Sequence, residues 1–235
     1  MGAALGWGIV AASSLVLGAL LGLARQWPDR LTGLVLAFGA GALISAVSFE
    51  LFQDGIAVGG AAAVGLGLAA GALTYFELSR IVETKLGGSG GGAGPSLALG
   101  AFLDGIPEQL VLGLGIAAGE GVSISLLVAI FVSNLPEAIG SATEMRESGT
   151  EPFKIRRLWF GVAVLCALST LAGFAIAQNT GGHFKAAVNG FAAGALLVML
   201  VDSMIPDSTS KTGRVAGLAT TLGFALAAGL SSASA

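Results

Sequence analysis

The chain has 235 residues, of which 54% are hydrophobic and only 11% charged, where soluble domains carry roughly 25% charge; its mean hydropathy is +0.88. A net charge of −3 speaks against a nucleic-acid partner, and a single cysteine, Cys166, excludes an intramolecular disulfide or a thiolate metal cluster. The 38 glycines fall largely within apolar segments, where small residues let transmembrane helices approach closely. This is the composition of an all-α integral membrane protein whose main partner is the lipid bilayer.

A crossing needs about 20 apolar residues, and eight such runs follow one another, at about 3–24, 31–53, 56–79, 95–118, 121–145, 156–178, 184–206 and 212–232. No Lys or Arg precedes Arg25, so the first run lacks the basic start of a signal peptide and is expected to be retained. Connections are short except for "LGGSGGGAGP" (residues 86–95), a Gly/Ser linker. It separates helices 1–3 (3–79) from helices 4–8 (95–232) within one transmembrane domain, 1–235. The odd-numbered connections hold Arg25, Arg30, Arg80, Lys85, Arg146, Lys154, Arg156, Arg157, Lys211 and Arg214, and only Lys185 lies elsewhere. By the positive-inside rule those connections are cytoplasmic, which predicts a multi-pass cell-membrane protein with both termini outside.

In helix 2, "FGAGALISAVSFELFQD" (38–54) has an echo in helix 7, "FAAGALLVMLVDSMIPD" (191–207). The two helices run in opposite directions, so the echo reads as an inverted repeat, a common transporter plan, unless two Ala/Gly-rich helices match by composition alone. "GIAVG" (Gly55 to Gly59) and "GLAAG" (Gly67 to Gly71), at the start of and within helix 3, are read as close packing inside one protomer.

The expensive residues sit in helices 4 and 5. "DGIPEQ" (104–109) recurs as "SNLPEA" (133–138), which puts Asp104 and Glu108 on one helix face, and Ser133 and Asn134 beside Glu137 on another. Each mid-span carboxylate costs at least ~2.5 kcal/mol and needs compensation. Pro107 cannot donate to the carbonyl of Leu103, nor Pro136 to that of Val132, so both helices are expected to kink and free a backbone oxygen at the level of the carboxylates. Asp104, Glu108, Ser133, Asn134 and Glu137 then form an oxygen-rich set suited to a divalent cation. Two other uses of the same residues stay open: protonated carboxyls acting as interhelical glue, and a proton relay without a metal.

Glu50 in "SFELF" and Asp202 in "VDSMIPD" read either as entrance and exit ligands or as side chains snorkelling to water. Asp54, Glu77, Glu144 and Asp207 lie near span ends and are expected to reach water, and His183, the one histidine, to lie on the surface. No nucleophile with its base and no His-based metal centre is visible mid-span, so the chain is not expected to be an enzyme.

"DGIPEQ" and "SNLPEA" resemble the paired H-N-x-P-E-G signatures on helices 4 and 5 of the ZIP (Zrt/Irt-like) family of divalent-metal transporters. The resemblance covers the whole chain and is most specific at "SNLPE". Carried over, Asp104 stands at the helix 4 His, Gly105 at the Asn and Glu108 at the Glu; Ser133 replaces the helix 5 His, while Asn134 and Glu137 match. The helix 6 Glu of many members has no equivalent in residues 158–178, which implies one metal position rather than two. A site of oxygens without imidazole suits Mg, Ca or Mn better than Zn or Fe, although zinc also accepts carboxylates. The resemblance further implies eight transmembrane helices in a 3+2+3 arrangement, with inverted repeats (helices 1–3 and 6–8) around helices 4 and 5. It also implies passage of the cation toward the cytoplasm by alternating access, and homodimer formation. A ZIP-like scaffold or sensor that transports nothing, or a proton-coupled carrier without metal, are the alternatives.

Overall fold

The structure is a computed structural model that describes residues 1–86, 94–118 and 122–234; the side chains at 83, 85, 86, 94–101, 104, 118 and 234 lie outside that description. In chain order the helices are α1 (Gly2–Ala24), α2 (Asp29–Gly59), α3 (Ala61–Leu86), α4 (Gly94–Ala118), α5 (Ile124–Glu147), α6 (Pro152–Asn179), α7 (Gly182–Thr212) and α8 (Val215–Ser234). No strand forms among the described residues. Seven of these helices, all but α4, are long and apolar enough to cross a membrane, and the described apolar stretch of α4 is Gly105–Ala117. The 24 residues of α5 extend ~36 Å at 1.5 Å per residue, enough to cross a ~30 Å hydrocarbon core. The chain is therefore a multi-pass membrane protein.

Two boundaries differ from the sequence reading. α2 runs on to Gly59, so residues 56–59 end the second helix rather than begin the third, and the turn falls at Gly60, whose φ is +87°. Likewise α7 continues to Thr212 before Gly213 turns with φ +61°. Hydropathy cannot place these ends, because both sides of each turn are apolar or small; the positions are set by the glycines that tolerate left-handed backbone. "GIAVG" consequently belongs to α2. Gly59 lies against the carbonyl of Gly182, and Gly67 and Gly71 against those of Ala187 and Phe191, all within one protomer. α5 starts at Ile124 rather than 121, capped by Ser123, whose Oγ accepts from the Leu126 amide at 3.2 Å. The linker segment 87–93 lies outside the described residues.

The echo between α2 and α7 extends to geometry. With Phe38 matched to Phe191, Val47 falls on Leu200, and π-helical segments occupy Val47–Gln53 and Leu200–Met204. Gly60 falls on Gly213, the two left-handed turns just described. A Cβ on Gly41 would collide with the carbonyl of Thr220 in α8, and one on Gly223 with that of Phe38. Gly194, matched to Gly41, meets the carbonyl of Leu68 in α3, and Gly71 meets that of Phe191, matched to Phe38, while the α3 residues fall one position out of register with Thr220 and Gly223 of α8. α4 and α5 repeat the pattern: Gly173 of α6 faces the carbonyl of Leu110, and Gly22 of α1 faces that of Ile139, the residue matching Leu110 when the two Pro-Glu segments are aligned.

Burial follows these seams. Leu36, Leu43 and Leu51 of α2 join Leu112 of α4, Ile130 of α5, and Leu196 and Met199 of α7 in one core. Leu15 of α1, Met145 of α5, and Ile155, Trp159 and Cys166 of α6 form another. α5 contributes to both and is central. α3 and α8 are peripheral, with Leu66 76% and Leu218 73% exposed, as lipid-facing positions are. Three of the four basic connections meet at one end of the bundle: Gln26 donates to Glu147 at 3.2 Å, Arg146 donates to the Leu23 carbonyl at 3.0 Å, and Gly33 lies against Lys211.

Candidate functional site

Both Pro107 and Pro136 lie inside helices, α4 and α5, each lacking the amide proton that would close its own turn. One residue after Pro107, Glu108 is 1% exposed, as are Ser133 and Asn134 on α5. Asn134 Nδ2 donates to Glu108 Oε2 at 3.0 Å, and Ser133 Oγ donates to Glu108 Oε1 at 3.3 Å. Ser133 has one proton, which the Ile130 carbonyl also attracts at 3.0 Å. Both oxygens of the buried carboxyl are thus answered by neutral groups of the neighbouring helix. This meets the rule that buried polar groups find partners.

Why α5 can come so close is written in α2. A Cβ on Gly39 would lie 2.9 Å from the Ser133 Cα, so a larger residue there would push Ser133 away from the junction. Glu137, one turn beyond Ser133, is half-buried. The structure therefore brings Glu108, Ser133 and Asn134 together, with Glu137 next along the same helix. The backbone of Asp104 lies in α4 one turn before Glu108, and its side chain lies outside the described residues. Among the described residues, no three of His, Cys, Asp and Glu gather into a metal-holding group.

The remaining candidates separate. Glu50, in the π-helical segment of α2, is half-buried and accepts from Ser123 Oγ at 2.5 Å and from Ser125 Oγ, tying α2 to the first turn of α5. Ser125 precedes Ser133 by two turns, which places Glu50 about 12 Å along the α5 axis from the Glu108 level at 1.5 Å per residue. Asp202 is exposed and lines an apolar groove of about 350 Å³ between α7 and α3, walled by Leu68, Ala72, Phe76, Gly194 and Leu197. Glu77 pairs with Arg80 at 3.6 Å and Asp207 with Lys211 at 2.7 Å, while Asp54, Glu144 and His183 are exposed.

Three features carry weight that sequence reasoning did not give them: Gly39, the Ser123 and Ser125 pair, and Gln109. Gln109 is fully buried and its Oε1 accepts from Thr170 Oγ1 of α6 at 2.5 Å. A signal was present, because the matching position of the second Pro-Glu segment is Ala138, and an amide in place of a methyl group mid-span asks for a partner. The other two left no such mark, since neither a glycine among 38 nor a serine at a helix start stands out.

Chemically, the junction is a carboxyl held between two side chains that each carry an oxygen lone pair. In exchange for a divalent cation the hydroxyl can turn its lone pair inward and the Asn134 amide can turn over to present Oδ1, so all donors become oxygens of the type hard cations prefer. Against known proteins, no family model matches the chain and no curated protein matches it.

Proposed function

We propose that the chain is a carrier that moves a divalent cation toward the cytoplasm by alternating access, with Asp104, Glu108, Ser133, Asn134 and Glu137 as ligands. The observation that carries this reading is the junction itself: Glu108, 1% exposed, has its two oxygens turned to Ser133 and Asn134 across the α4–α5 interface. Those are residues that the resemblance to the ZIP family places at the metal. Without the cation, the two neutral donors satisfy the carboxylate; with it, they give up their protons' contacts and coordinate. The exchange lets the site be stable both loaded and empty, which a carrier requires.

The architecture that goes with this reading has eight spans, α4 included, in a 3+2+3 order, with α1–α3 and α6–α8 as inverted repeats around α4 and α5. The matching π-helical segments, left-handed turns and glycine–carbonyl contacts support it. The clustered basic connections mark the cytoplasmic end and leave both termini outside. Glu50 then stands at the entrance, bonded to the first turn of α5. Asp202, exposed beside the α3–α7 groove, is the candidate for the other end of the route. A mid-membrane oxygen site calls for Mn, Mg or Ca in preference to Zn or Fe as substrate.

One observation favours a second reading. Because both Glu108 oxygens are already hydrogen-bonded, the junction also serves as interhelical glue in a ZIP-like scaffold that transports nothing. Uptake into vesicles separates the readings, with a competition series of divalent cations against labelled Mn²⁺. Saturable, competed uptake is the carrier's result, and vesicles no leakier than protein-free ones are the scaffold's. Proton movement with no cation dependence would instead indicate a proton carrier.

A further inference from the structure

Gln109 raises a question that its neighbour Glu108 does not. It is 0% exposed, as is Thr170, whose hydroxyl donates to Gln109 Oε1 at 2.5 Å. Its Nε2 has no hydrogen-bond partner among the described residues. An orphaned buried amide N–H costs free energy comparable to a lost hydrogen bond, so a glutamine retained here needs a return that a methionine or leucine would not give. The place is crowded: a Cβ on Gly8 of α1 would lie 2.8 Å from Thr170 Oγ1, and Gly113, one turn beyond Gln109, meets the Thr170 carbonyl. Gln109 and Thr170 therefore meet where α1, α4 and α6 converge.

The pseudo-equivalent position shows what is being supplied. Ala138 follows Glu137 as Gln109 follows Glu108, and it is held by contact alone, since a Cβ on Gly18 of α1 would lie 2.7 Å from the Ala138 Cβ. On α4 a hydrogen bond stands where α5 has a steric stop. Pro107 has removed the amide that would tie this turn to the Leu103 carbonyl, so the ladder of the otherwise continuous α4 is one bond short at the turn that carries Glu108. One residue further along that turn is Glu108.

We propose that Gln109 is a positioning residue: its side-chain oxygen, held by Thr170, fixes the rotation of α4 after Pro107 so that the Glu108 carboxyl faces Ser133 and Asn134. This rests on the cation-carrier reading above. It gives the chain a device for holding one ligand in register without a contact to the ion.

The test uses the full-length protein in lipid nanodiscs, with Mn²⁺ as the probe, measuring equilibrium affinity and thermal unfolding of the cation-free form for wild type, Gln109→Met, Thr170→Val and Thr170→Ser. Gln109→Met is close in volume and removes the orphaned N–H, and it leaves the Thr170 hydroxyl able to turn to the carbonyl of Cys166 on its own helix. Its unfolding temperature is therefore expected to equal or exceed wild type, while Mn²⁺ affinity falls by about tenfold, the loss expected when one charged ligand is displaced from register. Thr170→Val loses affinity alike, and Thr170→Ser, which keeps the donor, stays within about twofold of wild type. If Gln109→Met does not reach the membrane, Thr170→Val against Thr170→Ser carries the same comparison. Wild-type affinity in Gln109→Met or in Thr170→Val overturns the inference alone. So does a joint fall of affinity and stability that Thr170→Ser does not reverse. A wild type that shows no saturable Mn²⁺ binding overturns the carrier reading and this inference with it.

Discussion

Asn134 Nδ2 donates to Glu108 Oε2 at 3.0 Å across the α4–α5 interface, with both residues 1% exposed. Each hydrogen-bonds the other in a buried setting, so removing either withdraws a partner from a buried polar group. Asn134→Leu keeps the volume but withdraws the donor, leaving one oxygen of a buried carboxyl without it. The expected loss is about 1–3 kcal/mol of stability. Thermal unfolding in detergent checks this, and a variant as stable as wild type would mean that the bond carries no net weight.

Pro136 is expected to serve the site more than the fold. Pro136→Ala restores an amide that can donate to the Val132 carbonyl and removes the ring clash with that turn. Unfolding temperature should hold or rise, while divalent-cation affinity falls several-fold, on the order of 1 kcal/mol. Unchanged transport would remove the Val132 carbonyl from the list of groups that meet the ion.

The glycine seams give a prediction independent of any ion. A Cβ on Gly194 would meet the Leu68 carbonyl, whereas nothing lies within 4 Å of one on Gly217. Gly194→Val should wedge α7 from α3 and cost about 1–3 kcal/mol or more as an overpacked site. Gly217→Val, facing open space on α8, should be nearly neutral. Unfolding of the two side by side tests the contrast, and equal effects would place the α3–α7 seam elsewhere.

What could be read from the sequence, and what could not, divides along physical lines. Helix existence was legible because each span must be almost wholly apolar, and the prolines and carboxylates stood out because they are costly there. The pairing of Glu108 with Ser133 and Asn134 was legible in outline, since the i, i+4 spacing put those groups on inward faces. Helix ends at Gly60 and Gly213 were not, because a turn between two apolar helices changes backbone handedness without changing hydropathy. Gly39 was equally silent: its function is to be absent as a side chain opposite Ser133, a fact about distance that no one-dimensional pattern contains. Gln109 was in plain view, yet the residue it answers, Thr170, lies on another helix and carries no mark of its own.

The proposed sidedness rests on the positive-inside rule applied to the basic connections. In a Cys166→Ala background, a cysteine at Gly149 should be labelled by an impermeant thiol reagent only from the cytoplasmic side, and one at Gly181 only from outside. Both positions are exposed turn residues. The reverse pattern would invert the protein and turn the proposed direction of passage around.

The account stands most directly on one measurement: time-resolved uptake of Mn²⁺ into proteoliposomes holding wild type, compared with Glu108→Gln in the same lipid. Glutamine keeps the shape and can exchange hydrogen bonds with Ser133 and Asn134, but it takes one charge from the site. Wild-type uptake should saturate with Mn²⁺ concentration, and the variant should lose at least about tenfold in apparent affinity, on the order of 1.4 kcal/mol, while unfolding at a similar temperature. Uptake that is equal in the two proteins, or absent from wild type in tight vesicles, would contradict the claim that this buried carboxyl meets a transported cation.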